Sequence, residues 1–206
     1  MSYSFLEELK RAEELVLWHR YNLGSFHDFS EQGNDGMPGG TIIHDGGGVS
    51  FPTGTANVGV ADAAELQITE GTLIVLGNFR SQVSTEEMFL KRDAGGTNFD
   101  YYLAAGVIAL YDGSASRTLA ASVLGEKCLA VNISHGNIPQ GYINGLFAGA
   151  YSGVLDVIAD DAPIRIGSQF NNTVRCQSPL WQVLEINRQL TASEHSVIYG
   201  ELMGLQ

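Results

Sequence analysis

Residues 184–194 read Leu-Glu-Ile-Asn-Arg-Gln-Leu-Thr-Ala-Ser-Glu, and no other stretch says more about the fold. The first part alternates apolar and polar side chains, which is typical of a β-strand with one buried face. Thr191 and Glu194 form the pattern of a capping box, in which two side chains satisfy backbone N–H groups at the start of a helix. The stretch therefore predicts a last strand that leads into a short C-terminal helix, which Gly204 is placed to end.

Before this stretch, apolar residues recur with a period of two from Leu17 onward. The dipeptides Asp112-Gly113 and Asn144-Gly145 lie between apolar runs and predict two-residue hairpin turns. Consecutive hairpins indicate antiparallel strands, and so many strands in one domain are best buried as two stacked sheets. The predicted strands are 49–51, 72–79, 88–91, 101–104, 107–111, 118–123, 128–133, 164–166 and 181–186.

The first 16 residues predict an amphipathic helix, with Ser4 and Glu7 as its capping box. Its apolar stripe includes Phe5, Leu6 and Leu9 and must pack on something, because so short a helix is marginal alone. The sequence favours the chain's own sandwich and leaves another subunit as the alternative. We therefore divide the chain into a helix and candidate docking segment, 1–16, and a sandwich, 17–206.

Composition restricts the class of protein. The chain has 206 residues, 44% of them hydrophobic, which suits one all-β domain. A net charge of −12 argues against nucleic acid as a ligand. The start lacks the pattern of a secretion signal, and no run approaches the roughly 20 apolar residues of a membrane span. Cys128 and Cys176 are expected to be reduced thiols, with a disulfide between them as the alternative.

Six segments follow one another in a characteristic order: 15–18, 28–36, 48–51, 142–147, 164–167 and 186–194. This series resembles the concanavalin A-like lectin/glucanase superfamily, in particular its laminin-G-like domains from bacterial and phage proteins. The resemblance covers residues 15–203 and implies a two-sheet antiparallel jelly-roll sandwich. With the helices predicted above, we expect an all-β fold, a jelly-roll sandwich with an N-terminal amphipathic helix and a short C-terminal helix.

The glucanase branch of that superfamily carries a Glu-x-Asp-x-(x)-Glu strand, whose alternation places a nucleophile and an acid on one sheet face. This chain has no such strand, and its nearest stretch is Glu-Ile-Asn at 185–187. The five histidines lack metal-ligand spacing, and no Gly-x-Ser-x-Gly elbow occurs. We expect no enzymatic activity.

The sequence offers two sets of candidate binding residues. Asp28, Asn34 and Asp35 place oxygen ligands in one glycine-containing loop, which predicts a structural Ca²⁺ site, and the alternative is that they hydrogen-bond their own turn. The resemblance also implies a glycan site. Because strand alternation sends half of the aromatic residues inward, its position stays open among Asn98, Tyr101, Tyr102, Asp112 and Tyr142.

The resulting functional prediction is a non-enzymatic structural or interaction protein. By analogy with other lone modules, we expect a phage virion component, either a capsid decoration or a tail-associated protein, which binds virion subunits and also glycans. The first alternative is a free-standing carbohydrate-binding lectin, and the second, which the missing carboxylate strand disfavours, is a glycoside hydrolase. The expected location is the virion or otherwise the cytoplasm, without membrane contact.

Overall fold

A computed structural model describes residues 4–45, 47–66, 69–80, 85–91, 99–104, 107–121, 123–156, 162–168 and 174–205. Two α-helices and fifteen strands lie within these ranges. The helices are α1 (Phe5–Arg11) and α2 (Ala192–Gly204). The strands are β1 (Leu15–Arg20), β2 (Met37–Gly39), β3 (Ile43–Asp45), β4 (Gly48–Ser50), β5 (Asn57–Val60), β6 (Glu70–Phe79), β7 (Glu86–Lys91), β8 (Phe99–Ala104), β9 (Val107–Tyr111), β10 (Ser116–Ala120), β11 (Gly125–Ser134), β12 (Gln140–Ile143), β13 (Leu146–Ala150), β14 (Ile164–Ile166) and β15 (Leu180–Ile186).

The strands form two antiparallel sheets that pack face to face. The eight-stranded sheet has the order β13-β12-β11-β6-β15-β4-β3, and β1 pairs with β15 beside this path. The seven-stranded sheet has the order β10-β9-β8-β7-β14-β5-β2. This arrangement is the predicted jelly-roll sandwich, and every predicted strand overlaps one of its strands, although the strand predicted at 118–123 is shifted to Ser116–Ala120.

Apolar residues form two layers. The larger cluster lies between the sheets and includes Phe51, Phe89 and Val183. A second cluster lies on the outer face of the eight-stranded sheet, where Trp18, Leu184 and other residues are covered by both helices. The central strands of the eight-stranded sheet are therefore buried on both faces. The described part of the chain has no helix long and apolar enough to cross a membrane.

Two local predictions in the C-terminal half of the chain are confirmed. The Thr191 hydroxyl accepts a hydrogen bond from the Glu194 N–H, and the Glu194 carboxylate accepts one from the Thr191 N–H, which confirms the capping box. Asn144 and Gly145 have φ values of 53° and 75°, so both adopt the left-handed conformation that a two-residue hairpin requires. The helix continues through Gly204, however, and Leu205 occupies its C-cap.

Two local predictions were wrong. The N-terminal helix ends at Arg11, because Glu13 turns the chain with a φ of 57° and Leu15 already pairs with Ile186 in β1. The turn at Asp112 is longer than two residues, since Tyr111 pairs with Ser116 across it. Cys128 and Cys176 are both buried and free, and they belong to different apolar clusters.

Candidate functional site

The predicted calcium loop is organised around the Asp28 carboxylate, which is fully buried. One oxygen accepts hydrogen bonds from the N–H groups of Trp18 and Ser30, both at 2.9 Å. The other accepts from the Ser30 hydroxyl at 2.7 Å and the Asn34 N–H at 2.9 Å. The Asp28 carboxylate thus accepts hydrogen bonds from its own turn and from β1.

The other two predicted calcium ligands are also engaged within the chain. The Asn34 amide donates to the Val16 carbonyl at 2.8 Å. The exposed Asp35 carboxylate accepts from the Asp28 N–H at 2.8 Å and lies 2.7 Å from the His27 ring nitrogen. No group of three or more His, Cys, Asp or Glu side chains that could hold a metal occurs among the described residues. The Ca²⁺ site stays a prediction.

Three of the predicted glycan-binding residues are not open to a ligand. Tyr101 is fully buried between the sheets. Tyr142 is 4% exposed on the opposite sheet, where its ring stacks on His195 with the centroids 3.6 Å apart. The Asp112 carboxylate accepts from the N–H groups of Ser114 and Ala115 and from the Ser114 hydroxyl in its own turn, and also from the Arg117 guanidinium on β10 and the distant Asp156 N–H. Strand alternation and turn chemistry thus direct these three side chains away from solvent.

The environment of Asp112 also explains its ionisation. Burial of the side chain opposes ionisation, but the Ser114 hydroxyl and the surrounding N–H groups outweigh it and lower the pKa of Asp112 well below its usual value. The residue is therefore charged at neutral pH and anchors the β9–β10 turn. Asn98, the remaining predicted polar residue, lies outside the described residues.

Tyr102 is the one predicted aromatic residue that reaches a surface. Strand register places Tyr102 opposite Ala109, and Asp100 opposite Tyr111, all on the outer face of the seven-stranded sheet. Ser116 follows next to Tyr111 on β10. Tyr102 and Tyr111 are partly exposed, while Ser116 and Thr118 are exposed. We call these four residues the tyrosine surface.

The tyrosine surface is held in place by its own hydrogen bonds. The Tyr102 hydroxyl lies 2.7 Å from the Ser116 hydroxyl, and the Tyr111 hydroxyl donates to the Gly113 carbonyl at 3.0 Å. Two carboxyl-bearing residues share the same sheet face, Glu87 opposite Tyr102 and Asp100 opposite Tyr111. Both are almost completely buried, at 0% and 3% exposure. The partly exposed Arg165 of β14 also lies on this face, because it pairs with Leu90, which pairs with Asp100. The tyrosine surface itself offers aromatic rings and neutral hydroxyls.

A cleft of about 390 Å³ lies between the two helices and β1. Glu201 on α2 accepts hydrogen bonds there from the N–H groups of Phe5 and Leu6, at 2.6 and 2.9 Å. Arg20 lies over the Trp18 and Phe29 rings and donates to the Leu205 carbonyl. The Glu201 contacts tie the N-terminal helix to the C-terminal one, and Arg20 ties β1 to the end of the C-terminal helix.

The predicted docking residues take part in the same packing. Leu6 and Leu9 are 2% and 1% exposed within the outer cluster, and the partly buried Phe5 packs against it. The helix thus rests on its own sandwich, which is the arrangement that the sequence favoured. A docking role for these three side chains would require α1 to leave the sheet.

A second cavity, which the sequence did not reveal, opens at one end of the eight-stranded sheet and measures about 290 Å³. Amide and hydroxyl side chains from β11, β12, the turn between them and the segment before α2 line it. We call it the amide recess. Its residues are Asn132, Ser134, Asn137, Ile138, Gln140 and Gln189. No local sequence motif indicates this cavity, because Gln189 is distant in sequence from the other lining residues.

Comparison with known proteins supports the architecture. No protein-family model matches the chain, and no curated protein matches it in sequence. Domain 4 of AbnA, an extracellular arabinanase of Geobacillus stearothermophilus, in complex with arabinotriose, is 17% identical with a TM-score of 0.71. That comparison covers 89% of this chain and 97% of the domain.

Two further similar structures come from larger proteins. A structure of botulinum neurotoxin type C, whose cell entry depends on two ganglioside molecules, has a TM-score of 0.73 at 8% identity and covers 96% of this chain. The Trypanosoma rangeli sialidase in complex with sialic acid has a TM-score of 0.69 at 13% identity and covers 91% of this chain. The chain spans 53% of the former and 33% of the latter. At these identities the likeness shows the jelly-roll fold.

Proposed function

We propose that this chain is a non-enzymatic carbohydrate-binding module that holds a neutral glycan against the tyrosine surface. The observation that carries the proposal is the placement of Tyr102 and Tyr111 on one outer sheet face, partly exposed and fixed by their own hydroxyl contacts. An aromatic ring presents a negatively polarised face, which attracts the C–H groups of a sugar ring. The hydroxyls of Ser116 and Thr118 lie beside the rings as hydrogen-bond partners.

The preference for a neutral glycan follows from electrostatics. The chain carries a net charge of −12, so long-range repulsion opposes the approach of anionic sugars. The four residues of the tyrosine surface carry no charge, and the partly exposed Arg165 on the same sheet face belongs to β14, two strands away from β8. Neutral oligosaccharides are therefore the expected class.

A similar structure supports a binding role. The arabinanase domain was solved in complex with arabinotriose, a neutral saccharide, and the comparison covers 97% of that domain. The domain shares the fold of this chain at low identity, so the fold is compatible with recognition of a neutral glycan. The ligand of this chain has to be argued from its own residues.

A non-enzymatic role fits the positions of the carboxylates. Glycoside hydrolysis needs two carboxyl groups that flank the scissile bond, and both must reach the substrate. Glu87 and Asp100 lie on the same sheet face as the tyrosine surface, but both are buried, so neither could reach a sugar bound there. A glycan that binds should be recovered intact, without new reducing ends.

A glycan array tests the proposal. The wild-type protein should bind neutral oligosaccharides, and Tyr102→Ala should lower the signal at least about tenfold because stacking is lost. Tyr102→Phe keeps the ring and should retain most of the binding. Absence of binding to every glycan, or full binding by Tyr102→Ala, would contradict the proposal.

A virion or other assembly role is the second candidate, and the edge strand β13 favours it. Its Leu146 and Phe147 are 70% and 57% exposed, and the strand has neither a charged residue nor a proline to block pairing. Such an edge can add a strand from another subunit. Assembly through it would appear as concentration-dependent self-association or particle binding that Phe147→Lys abolishes.

A further inference from the structure

The amide recess lies on the outer face of the eight-stranded sheet, away from the tyrosine surface. Asn132 on β11 pairs with Gln140 on β12, so their side chains point to the same side of the sheet. That side also carries Ala130 and Tyr142, which belong to the cluster beneath the helices. The recess begins where this helical cover ends.

The floor of the recess is rigid. Asn132 is 5% exposed, and its amide nitrogen donates to the Leu190 carbonyl at 2.7 Å. Its oxygen accepts from the Thr72 hydroxyl at 2.8 Å and faces the His195 ring nitrogen at 3.0 Å. A side chain held by this many partners cannot collapse into the cavity.

The wall formed by the β11–β12 turn is also fixed. The Asn137 amide nitrogen donates to the Ser134 hydroxyl at 3.1 Å and to the His135 carbonyl at 3.2 Å. The Leu155 N–H donates to the Asn137 carbonyl at 3.0 Å, which holds the turn from outside. These bonds use the donors of the Asn137 side chain and leave its oxygen as an acceptor.

The opposite wall offers donors. The Gln140 oxygen accepts from the Tyr142 hydroxyl at 3.3 Å, which orients the Gln140 amide nitrogen as a donor. Gln189 is exposed, and no hydrogen bond from its amide to another described residue is present. Ile138, with 50% of its surface exposed, supplies an apolar patch on the rim.

This lining selects one class of ligand. A carboxamide both donates and accepts hydrogen bonds, as neighbouring sugar hydroxyls do, whereas no charged side chain lines the cavity. A volume of about 290 Å³ is at the lower end of ligand pockets, which suits one or two sugar rings. Preformed polar walls reduce the entropy lost on binding.

We propose that the amide recess is a second binding site for a neutral sugar, on the sheet opposite the tyrosine surface. The proposal extends the proposed function and depends on different residues. A glycan chain bound at both places would be held by two weak contacts, which raises its overall affinity when the glycan can span them.

Nuclear magnetic resonance of ¹⁵N-labelled protein tests the recess, because side-chain amides give their own signals. The probes are maltotriose, cellotriose, galactobiose and arabinotriose, with glucuronate as a charged comparison. At least one neutral probe should shift the Gln140 and Gln189 amide signals saturably. Gln140→Glu should weaken that titration at least about tenfold because it replaces the donor with a charge.

Two variants keep the result specific. Gln32→Glu makes the same change at an exposed residue elsewhere and should leave the titration unchanged, as should Tyr102→Ala. The proposal is overturned if none of the neutral probes shifts these amides, if Gln140→Glu binds normally, or if glucuronate binds more tightly than the neutral probes. If the probes shift only the signals of the tyrosine surface, the recess proposal is wrong and the proposed function stands. If they shift only the signals of the recess, the proposed function is wrong and the recess proposal stands.

Discussion

At the scale of single residues, Glu185 is the most unusual group in the core. It lies on β15 opposite Leu17 and Leu73, and it is 5% exposed. One of its oxygens has no hydrogen-bond partner among the described residues. Desolvation raises the pKa of Glu185 to about 8, although the positive charge of Lys91 opposes the shift. The side chain is therefore protonated in the folded protein at neutral pH.

The raised pKa makes stability depend on pH. Between the ordinary value of 4.5 and about 8, the folded state binds a proton at Glu185 that the unfolded state has lost. The contribution of this group to stability therefore falls as pH rises through that range. Glu185→Gln removes the titration, so the variant should gain in melting temperature relative to wild type as pH rises.

Thermal unfolding across this pH range measures the effect, and the exposed Glu70→Gln is the matched control. The difference in melting temperature between Glu185→Gln and wild type should grow from pH 4.5 to 8 and then level off. A constant difference would show that Glu185 does not hold its proton in the folded state.

Turn residues show how far single positions can be predicted. Asn144-Gly145 formed the expected hairpin because both residues tolerate the left-handed conformation. Asp112-Gly113 has the same kind of sequence, but the Asp112 carboxylate accepts hydrogen bonds from the N–H groups of Ser114 and Ala115, and the loop is therefore longer. Dipeptide preference could not predict this result, because it depends on donors further along the chain.

At the scale of elements, the segment after β15 joins three parts of the fold. The Arg188 guanidinium donates to the Glu14 carboxylate at 2.6 Å and to Glu194 at 2.8 and 3.1 Å. The Asn187 N–H donates to the Glu14 carbonyl at 2.9 Å. Residues 186–194 thus connect the last strand to the start of β1 and to the first turn of α2.

Arg188→Ala should lower the free energy of unfolding at neutral pH by roughly 1–2 kcal/mol, because it leaves both carboxylates without their partner. The Arg188 guanidinium lowers the pKa of Glu194 to about 2, so this contribution is present above pH 4.5 and is lost as pH falls toward 2. Denaturant titration at neutral and acidic pH measures both effects.

Arg80→Ala serves as the control, because it removes an exposed ion pair with Asp45. Such pairs contribute at most about 1 kcal/mol. If Arg188→Ala were no more destabilising than Arg80→Ala, or were equally destabilising at both pH values, the joining role of Arg188 would be wrong.

The boundary of α1 shows why elements are not set by local pattern alone. Apolar residues continue at helical spacing to Val16, yet the helix ends at Arg11. Pairing with β15 buries Leu15 and Leu17 on opposite faces of the sheet, which a helix at this place could not do. The partner strand lies more than 160 residues away, beyond the reach of any local pattern.

At the scale of the whole molecule, the two sheets differ in their outer faces. Both described helices cover the eight-stranded sheet, so the tyrosine surface lies on the sheet without a helical layer. Alternation predicted the sandwich because it marks a buried face in each strand. It could not predict which sheet faces the helices, and this is why Tyr142 lies beneath α2 while Tyr102 stays accessible.

The central claim is that a neutral glycan binds at the tyrosine surface. The chain has eight tyrosines, whose rings can be followed individually by nuclear magnetic resonance after isotope labelling. Titration with a glycan selected on the array should shift the Tyr102 and Tyr111 ring signals saturably, while the buried Tyr101 ring should move little. Saturable binding that leaves both Tyr102 and Tyr111 unmoved would contradict the claim.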